Sequence, residues 1–299
     1  MFARGEYNND MARKSPTIGL ALGSGGAKGL AHIGVLRSFE KHHIPINFIA
    51  GSSIGAIIGA HYARFQDSKK IEEIILAFSR KKGMGLVDWT ISGGIVKGIK
   101  TEKFITEILE GAQFTDLRIP FAAVATDINT ATPAIFTSGN LVKAIRASTS
   151  IPAIYQPIFH EKKLLADAAL SNPVPVDIVK QMGSDITTGV NLDTVYSEQP
   201  LTSLPPLSKM PTRAIHILQH NLALHAVKTA DIVISPKNVW GIGILGWNFF
   251  FDNEKARKIM QAGEEAADTM MPQIRERIEA FKKEQSVVKR MLRILSGKY

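Results

Sequence analysis

The chain has 299 residues, 45% of them hydrophobic and 21% charged, and a formal net charge of +9. That is the composition of a folded globular protein, one large domain or two small ones, and not of a disordered or fibrous chain. Cysteine is absent, which excludes disulfides, thiolate metal sites and a cysteine nucleophile, while the basic balance favours an anionic partner: nucleic acid, an anionic membrane or an acidic substrate.

The opening stretch MFARGEYNNDMARKSPT lacks the apolar core of a signal peptide, so residues 1–16 read as a flexible arm. The chain is accordingly expected in the cytoplasm, peripheral on the inner membrane face. TIGLAL (Thr17–Leu22) is a short buried strand that ends at a glycine cluster. After GSGGAKG, the spacing of Leu30, Ile33, Val35, Leu36 and Phe39 predicts a helix that ends by Pro45. INFIA (Ile46–Ala50) is a second strand and IGAIIGAHYARF a second helix. The uncharged run from Ile44 to Ala63 is too interrupted by Pro45, Asn47, Ser52, Ser53 and glycines to cross a bilayer. The β-α-β-α order predicts a parallel sheet with helices on its faces.

Lys69–Lys81 reads as a helix, GMGLVDWTISGGIVKG as irregular chain, and Thr101 as the N-cap of a helix over Glu102–Glu110. FAAVATDI and TPAIFTSG are two strands joined at Asn129–Ala131, and NLVKAIRASTS is a short helix stopped by Pro152. YQPIFHEKKLLADAALSNPVPV suggests a hairpin followed by a loop of small residues. DITTGVNL and ADIVISP are later strands with a helix over Thr212–Lys228 between them, and Gln199–Pro211 is a flexible loop. From Glu254 onward the chain reads as helical, with an apolar seam of Ile274, Ile278, Phe281, Val288, Leu292 and Leu295. Residues 17–235 thus read as one α/β domain. Residues 236–299 are an apolar segment and basic amphipathic helices that pack on it or extend it.

Gly51-Ser52-Ser53-Ile54-Gly55 fits G-x-S-x-G between a strand and a helix. A sharp turn there projects the Ser53 hydroxyl into a cleft, and the residues two before and two after it must be small, as Gly51 and Gly55 are. LGSGGAKG (Leu22–Gly29) fails the P-loop and the strict dinucleotide patterns. Two readings of it survive. Gly23, Gly25 and Gly29 could form a looser NADP(H) loop, with Ser52 and Ser53 near a 2′-phosphate. Alternatively the amides of Gly25 and Gly26 form an oxyanion hole beside Ser53. His61 points away along its own helix, and His216, His220 and His225 suit helix packing better than a metal. Asp167, flanked by alanines before Asn172-Pro173, is either a buried carboxylate held by backbone amides or a turn cap; spacing leaves both open. No basic patch with interleaved aromatics supports nucleic acid as the partner.

LALGSGGAKGLAHIGVLRSFE, IAGSSIGAIIGA, AIRASTSIPAIYQPI and LADAALSNPVP together resemble the bacterial patatin-like phospholipases, in that family's order and over Thr17–Val176. The resemblance implies a three-layer α/β/α sandwich with a mainly parallel sheet and a helical C-terminal extension. It also implies a Ser–Asp dyad without histidine: Ser53 as nucleophile, Asp167 as base, Gly25, Gly26 and Ala27 as the oxyanion hole, and Lys28 in the family's basic position. The implied activity is cleavage of (phospho)lipid carboxylic esters, of phospholipase A or lysophospholipase type, with no cofactor and no metal. The Trp240–Phe251 segment and the basic tail Lys282–Tyr299 are the candidates for an acyl pocket and for an anionic membrane surface. Two departures stand out. Ser24 replaces the first glycine of the family's run, and Ala168-Ala169 replaces Gly-Gly or Gly-Ala after the aspartate. If that first glycine requires positive φ, Ala168 costs about 1 kcal/mol.

Overall fold

The computed structural model describes residues 15–80, 88, 90, 92–193, 204–237, 239 and 252–295, with the backbone alone at 78–80, 208 and 288–295. The arm up to residue 14, the Trp240–Phe251 segment and the end of the tail lie outside the described residues.

Strands β1 (Ile18–Leu22), β2 (Phe48–Ser52), β3 (Phe121–Asp127), β7 (Ile186–Val190) and β8 (Ile232–Ile234) are parallel and stand in the order β8-β7-β1-β2-β3. β4 (Thr132–Phe136), β5 (Ile158–His160) and β6 (Lys163–Ala166) complete an eight-stranded sheet with antiparallel pairs. The central strands are near-continuous apolar runs because both faces are covered. Leu20, Leu22, Ile49, Phe121 and Ala123 enter one buried cluster with residues of α1 (Ala31–Lys41), α2 (Ile54–Phe65), α3 (Ser68–Arg80), α4 (Ile99–Ile108), α5 (Leu141–Ser148) and α8 (Asn253–Leu295). Ala21, Ala50, Ala122 and Val124 enter another with residues of α6 (Val176–Gln181) and α7 (Met210–Ala226). Helix, sheet and helix make the three layers the resemblance implied.

The long helix α8 is clamped to α1. A Cβ on Gly34 would stand 1.8 Å from the Met260 carbonyl oxygen, and one on Gly263 would stand 1.9 Å from that of Ala31, so the two backbones touch where both residues are glycine. Arg37 pairs with Glu264, and Asp268 accepts from Ser38 at 2.5 Å and Lys41 at 2.8 Å. Ile274 of the predicted seam is buried and Ile278 packs on the same core; the side chains of Val288, Leu292 and Leu295 lie outside the described residues.

Three local expectations need correction. Thr101 is not an N-cap: its helix starts at Ile99, and the Asp88 carboxylate accepts the amides of Gly98 and Ile99 at 2.9 and 2.7 Å. Thr101 is buried instead, with its hydroxyl on the Tyr155 hydroxyl at 3.2 Å. The first helix is preceded by a 3₁₀ turn at Gly26–Leu30. The stretch after Asp167, expected as loop, closes into a 3₁₀ turn (Ala168–Leu170) and then α6.

Candidate active site

β3 uses both edges. On one it pairs with β4; on the other it pairs first with β2, up to Ser52↔Val124, and then with antiparallel β6, from Thr126↔Ala166. β2 and β6 therefore run toward each other along one edge and both stop near Ala125. The next residue of each chain is Ser53 and Asp167. The sheet register alone brings these two residues, 114 apart in sequence, together.

Ser53 has φ 54° and ψ −121°, a strained left-handed conformation for a residue with a side chain. Such strain at a strand-to-helix turn turns the hydroxyl away from both elements. The flanking glycines are required by contact. A Cβ on Gly51 would stand 2.5 Å from the Ala56 Cα, and one on Gly55 would stand 2.2 Å from the Leu22 carbonyl oxygen. The Ser53 amide donates to the Ser148 hydroxyl at 2.8 Å, which holds the turn to α5.

The Ser53 hydroxyl donates to Asp167 Oδ2 at 2.6 Å; Ser53 is 5% exposed and Asp167 2%. The other carboxylate oxygen accepts the Ala169 amide at 2.8 Å. The Asp167 backbone is held as well: its amide donates to the Ser150 carbonyl at 2.9 Å and its carbonyl accepts from the Thr126 hydroxyl at 2.8 Å. Burial raises the Asp167 pKa to about 6, and the hydrogen bonds from Ser53 and Ala169 oppose that rise. The cap and the buried carboxylate, which spacing left as alternatives, are the same residue: Asp167 caps the 3₁₀ turn with one oxygen and meets Ser53 with the other. Ala168 sits in that right-handed turn and not among the positive-φ residues, so the expected penalty does not arise.

The glycine loop lies beside this pair. A Cβ on Gly29 would stand 2.3 Å from Ile54 Cγ2, and one on Gly55 would stand 2.8 Å from the Gly23 carbonyl oxygen. The Ser24 amide is committed to the Pro173 carbonyl at 2.8 Å, and the Lys28 amide to that of Gly25 at 3.1 Å. Between them, the amides of Gly25, Gly26 and Ala27 open a helical turn, where no earlier helical carbonyl can accept them. Gly26 takes φ +54°, which a side chain would strain. Lys28 pairs with Asp193 and donates to the Leu192 carbonyl at 3.0 Å.

Sequence reasoning did not single out the residues that hold this loop and turn. His32 is fully buried, and burial lowers its pKa to about 4, so it is neutral at pH 7 and its Nε2–H donates to the Gly23 carbonyl at 2.7 Å. Arg146 is buried and donates to Ser150 Oγ at 2.6 Å and to the carbonyls of Lys97, Gln156 and Gly98, with its guanidinium over the Tyr155 ring. It ties the loop carrying Ser150, and through it the Asp167 amide, to α5. The motif AIRASTS held Arg146, Ser148 and Ser150 in plain view, yet nothing in that string says that they face inward. His61 is buried against Phe65, about two turns along α2 from Ser53. His220 Nδ1 meets the Asp193 carbonyl at 2.5 Å.

A family model described as "Patatin-like phospholipase" matches residues 20–180. The chain belongs to that family. Ser53, Asp167 and the glycine loop all fall inside the matched span. "Uncharacterized NTE family protein Rv1063c" of Mycobacterium tuberculosis is 35% identical over 183 residues, which are 60% of this chain and 50% of that protein. "Lysophospholipase NTE1" of Pyricularia oryzae is 31% identical over 203 residues, 66% of this chain and 13% of that one. The chain thus spans half or less of the length of these curated relatives. Among solved structures, VipD from Legionella pneumophila overlaps 88% of this chain and 67% of its own, at 10% identity and a TM-score of 0.49. No helix among the described residues is long and apolar enough to cross a membrane.

Proposed function

We propose that the chain is a serine acyl hydrolase that cleaves carboxylic esters of lipids through Ser53 and Asp167. The observation that carries this reading is the 2.6 Å hydrogen bond from a strained, buried Ser53 hydroxyl to a buried carboxylate with a raised pKa. Asp167 accepts the hydroxyl proton as Ser53 Oγ attacks the ester carbonyl carbon. The carbonyl oxygen becomes an oxyanion held by the amides of Gly25, Gly26 and Ala27; one such donor is typically worth about 2.7–4 kcal/mol of transition-state stabilisation. As the ester C–O bond breaks, Asp167 returns its proton to the departing alcohol, which leaves an acyl group on Ser53. Water then attacks the acyl carbon, gives its proton to Asp167 and releases the fatty acid, and the proton passes back to Ser53. The Ser53 amide is engaged by Ser148, so the glycine loop is the donor set at hand.

A lipid substrate follows from the family and from the relatives named lysophospholipases. It calls for contact with a lipid surface on the inner membrane face, for which the basic tail Lys282–Tyr299 is the candidate in the sequence. The nicotinamide alternative loses its support at Ser53, because a 2′-phosphate there would face the Asp167 carboxylate. Ser53→Ala tests the proposal. It should abolish fluorophosphonate labelling and hydrolysis of p-nitrophenyl acyl esters while the far-UV spectrum stays that of the parent. Turnover that survives in this variant removes the serine from the mechanism.

A further inference from the structure

α7 follows β7 and returns antiparallel to the strands, so that its C-terminal end feeds β8 at the opposite end of the sheet from the dyad. His220 lies level with Asp193, just past the end of β7. The ten residues of α7 before His220 rise about 15 Å further, beyond the strand ends and on the Ser53 side. This projecting part and the segment leading into it are apolar on the outside: before the helix Leu204 is 96% exposed and Leu207 86%, and on it Leu218 is 68% exposed, with Met210 and Ile217 exposed beside it. Met210, Ala214, Ile217 and Leu218 share a helical face. From Leu204 to Gln219 the sequence holds Lys209 and Arg213 and no aspartate or glutamate. Exposed leucines interleaved with Lys209 and Arg213, with no acidic residue among them, match an anionic lipid interface, where the apolar side chains sink below the head groups and the cations stay among them. The base of the projection is linked to the glycine loop, since Asp193 binds His220 through its carbonyl and Lys28 through its carboxylate.

We propose that the projecting part of α7 with the Leu204–Lys209 segment docks on an anionic lipid surface and sets the mouth of the Ser53 site against it. This deepens the acyl-hydrolase reading and rests on it for its purpose, though not for its test. The full chain carrying Ser53→Ala should float with vesicles of phosphatidylglycerol and phosphatidylcholine, and far less with phosphatidylcholine alone. Leu207→Asp with Leu218→Asp should weaken flotation about tenfold per leucine. With Ser53 restored, the same pair should lower turnover of vesicle lipid and leave a soluble short-chain ester at the parental rate. A second measurement does not depend on these aspartates. The chain has no cysteine, so an environment-sensitive dye on Leu218→Cys reports that site alone. It should shift to the blue on the anionic vesicles, while the same dye on Lys180→Cys, exposed near the end of α6 that feeds the start of β7, should not. Flotation unchanged by the two aspartates, equal binding to phosphatidylcholine alone, or a shift at position 180 in place of 218 overturns the proposal. So does a stable dimer in sedimentation that the aspartates dissolve, which would give the face to a second copy. If instead Ser53 takes no fluorophosphonate while the flotation and dye results hold, the hydrolase reading fails and the docking face stands.

Discussion

Asp167 is held where ionisation is unfavourable, and that sets two opposite pH responses. Its folded pKa of about 6 lies above the ordinary 3.8 because burial disfavours the charge more than the bonds from Ser53 and Ala169 favour it. As the base we propose, it works only when ionised, so the acylation rate should rise with pH through about 6 and level off above it. Pre-steady-state release of p-nitrophenol between pH 4.5 and 8 measures this. Stability runs the other way. Below pH 3.8 the group is neutral in both the folded and the unfolded chain and contributes nothing. As pH climbs past 6 the folded state carries a charge that the unfolded state carries more easily, a penalty of about 1–3 kcal/mol. Asp167→Asn keeps the acceptor for the Ala169 amide and removes the charge. It should lose hydrolysis by a factor of about 10³ or more, yet unfold in urea at a higher midpoint than the parent at pH 8, with the gain fading toward pH 4. A variant less stable at pH 8 would contradict this placement of the charge. These residues were unequally legible. Ser53 announces itself because everything its turn requires lies within two residues. Asp167 does not, because what distinguishes it is a partner 114 residues away and its burial, neither of which a local string records.

At the scale of elements, the turns and crossings are decided by backbone contact. Gly55→Ala would drive a methyl group against the Leu22 carbonyl, whose strand is fixed between β2 and β7. It should cost about 1–3 kcal/mol of stability and also slow fluorophosphonate labelling of the folded fraction, since the turn that aims Ser53 must shift. Gly263→Ala meets an equally close carbonyl, that of Ala31, but on the α1–α8 crossing. It should cost a similar amount and leave the labelling rate of the folded fraction unchanged. The pair thus separates catalytic geometry from packing. The strand and helix order was legible because burial on both sheet faces writes unbroken apolar runs, and α2 follows its predicted span of Ile54–Phe65. The start of α4 was not. Thr101 satisfies the local preference for a cap, but Asp88 reaches the helix end from a preceding loop and takes the amides first, which leaves Thr101 inside the helix. Tertiary supply of a cap overrides local propensity, and no window along the chain reveals it.

At the scale of the whole molecule, Ser53 and Asp167 arrive from opposite directions on one edge of β3. The site therefore exists only when that edge is complete, and the sheet in turn depends on its covering layers. α8 belongs to one of them: Ala256, Ile259, Met260, Ala267, Met271 and Ile274 are buried in the same cluster as Leu20, Ile49 and Phe121. Burial of a large apolar side chain contributes about 1.5–3 kcal/mol, and the four large ones here sum to about the 5–15 kcal/mol by which a domain is stable at all. Removing α8 would also strip the cover from α1 and leave Asp268's partners, Ser38, Lys41 and His42, without it. We therefore expect a chain ended at Asp252 to lose cooperative unfolding and fluorophosphonate labelling together, although it keeps every residue of the dyad and the glycine loop. A chain ended at Ser286, past the last residue of α8 that is buried among the described side chains, should keep both the unfolding transition and the labelling rate on a soluble probe. If the shorter chain still labelled at the parental rate, α8 would be an appendage and residues 17–235 would stand as a domain of their own. If the longer one lost labelling, the basic tail would reach the active site and not merely a surface.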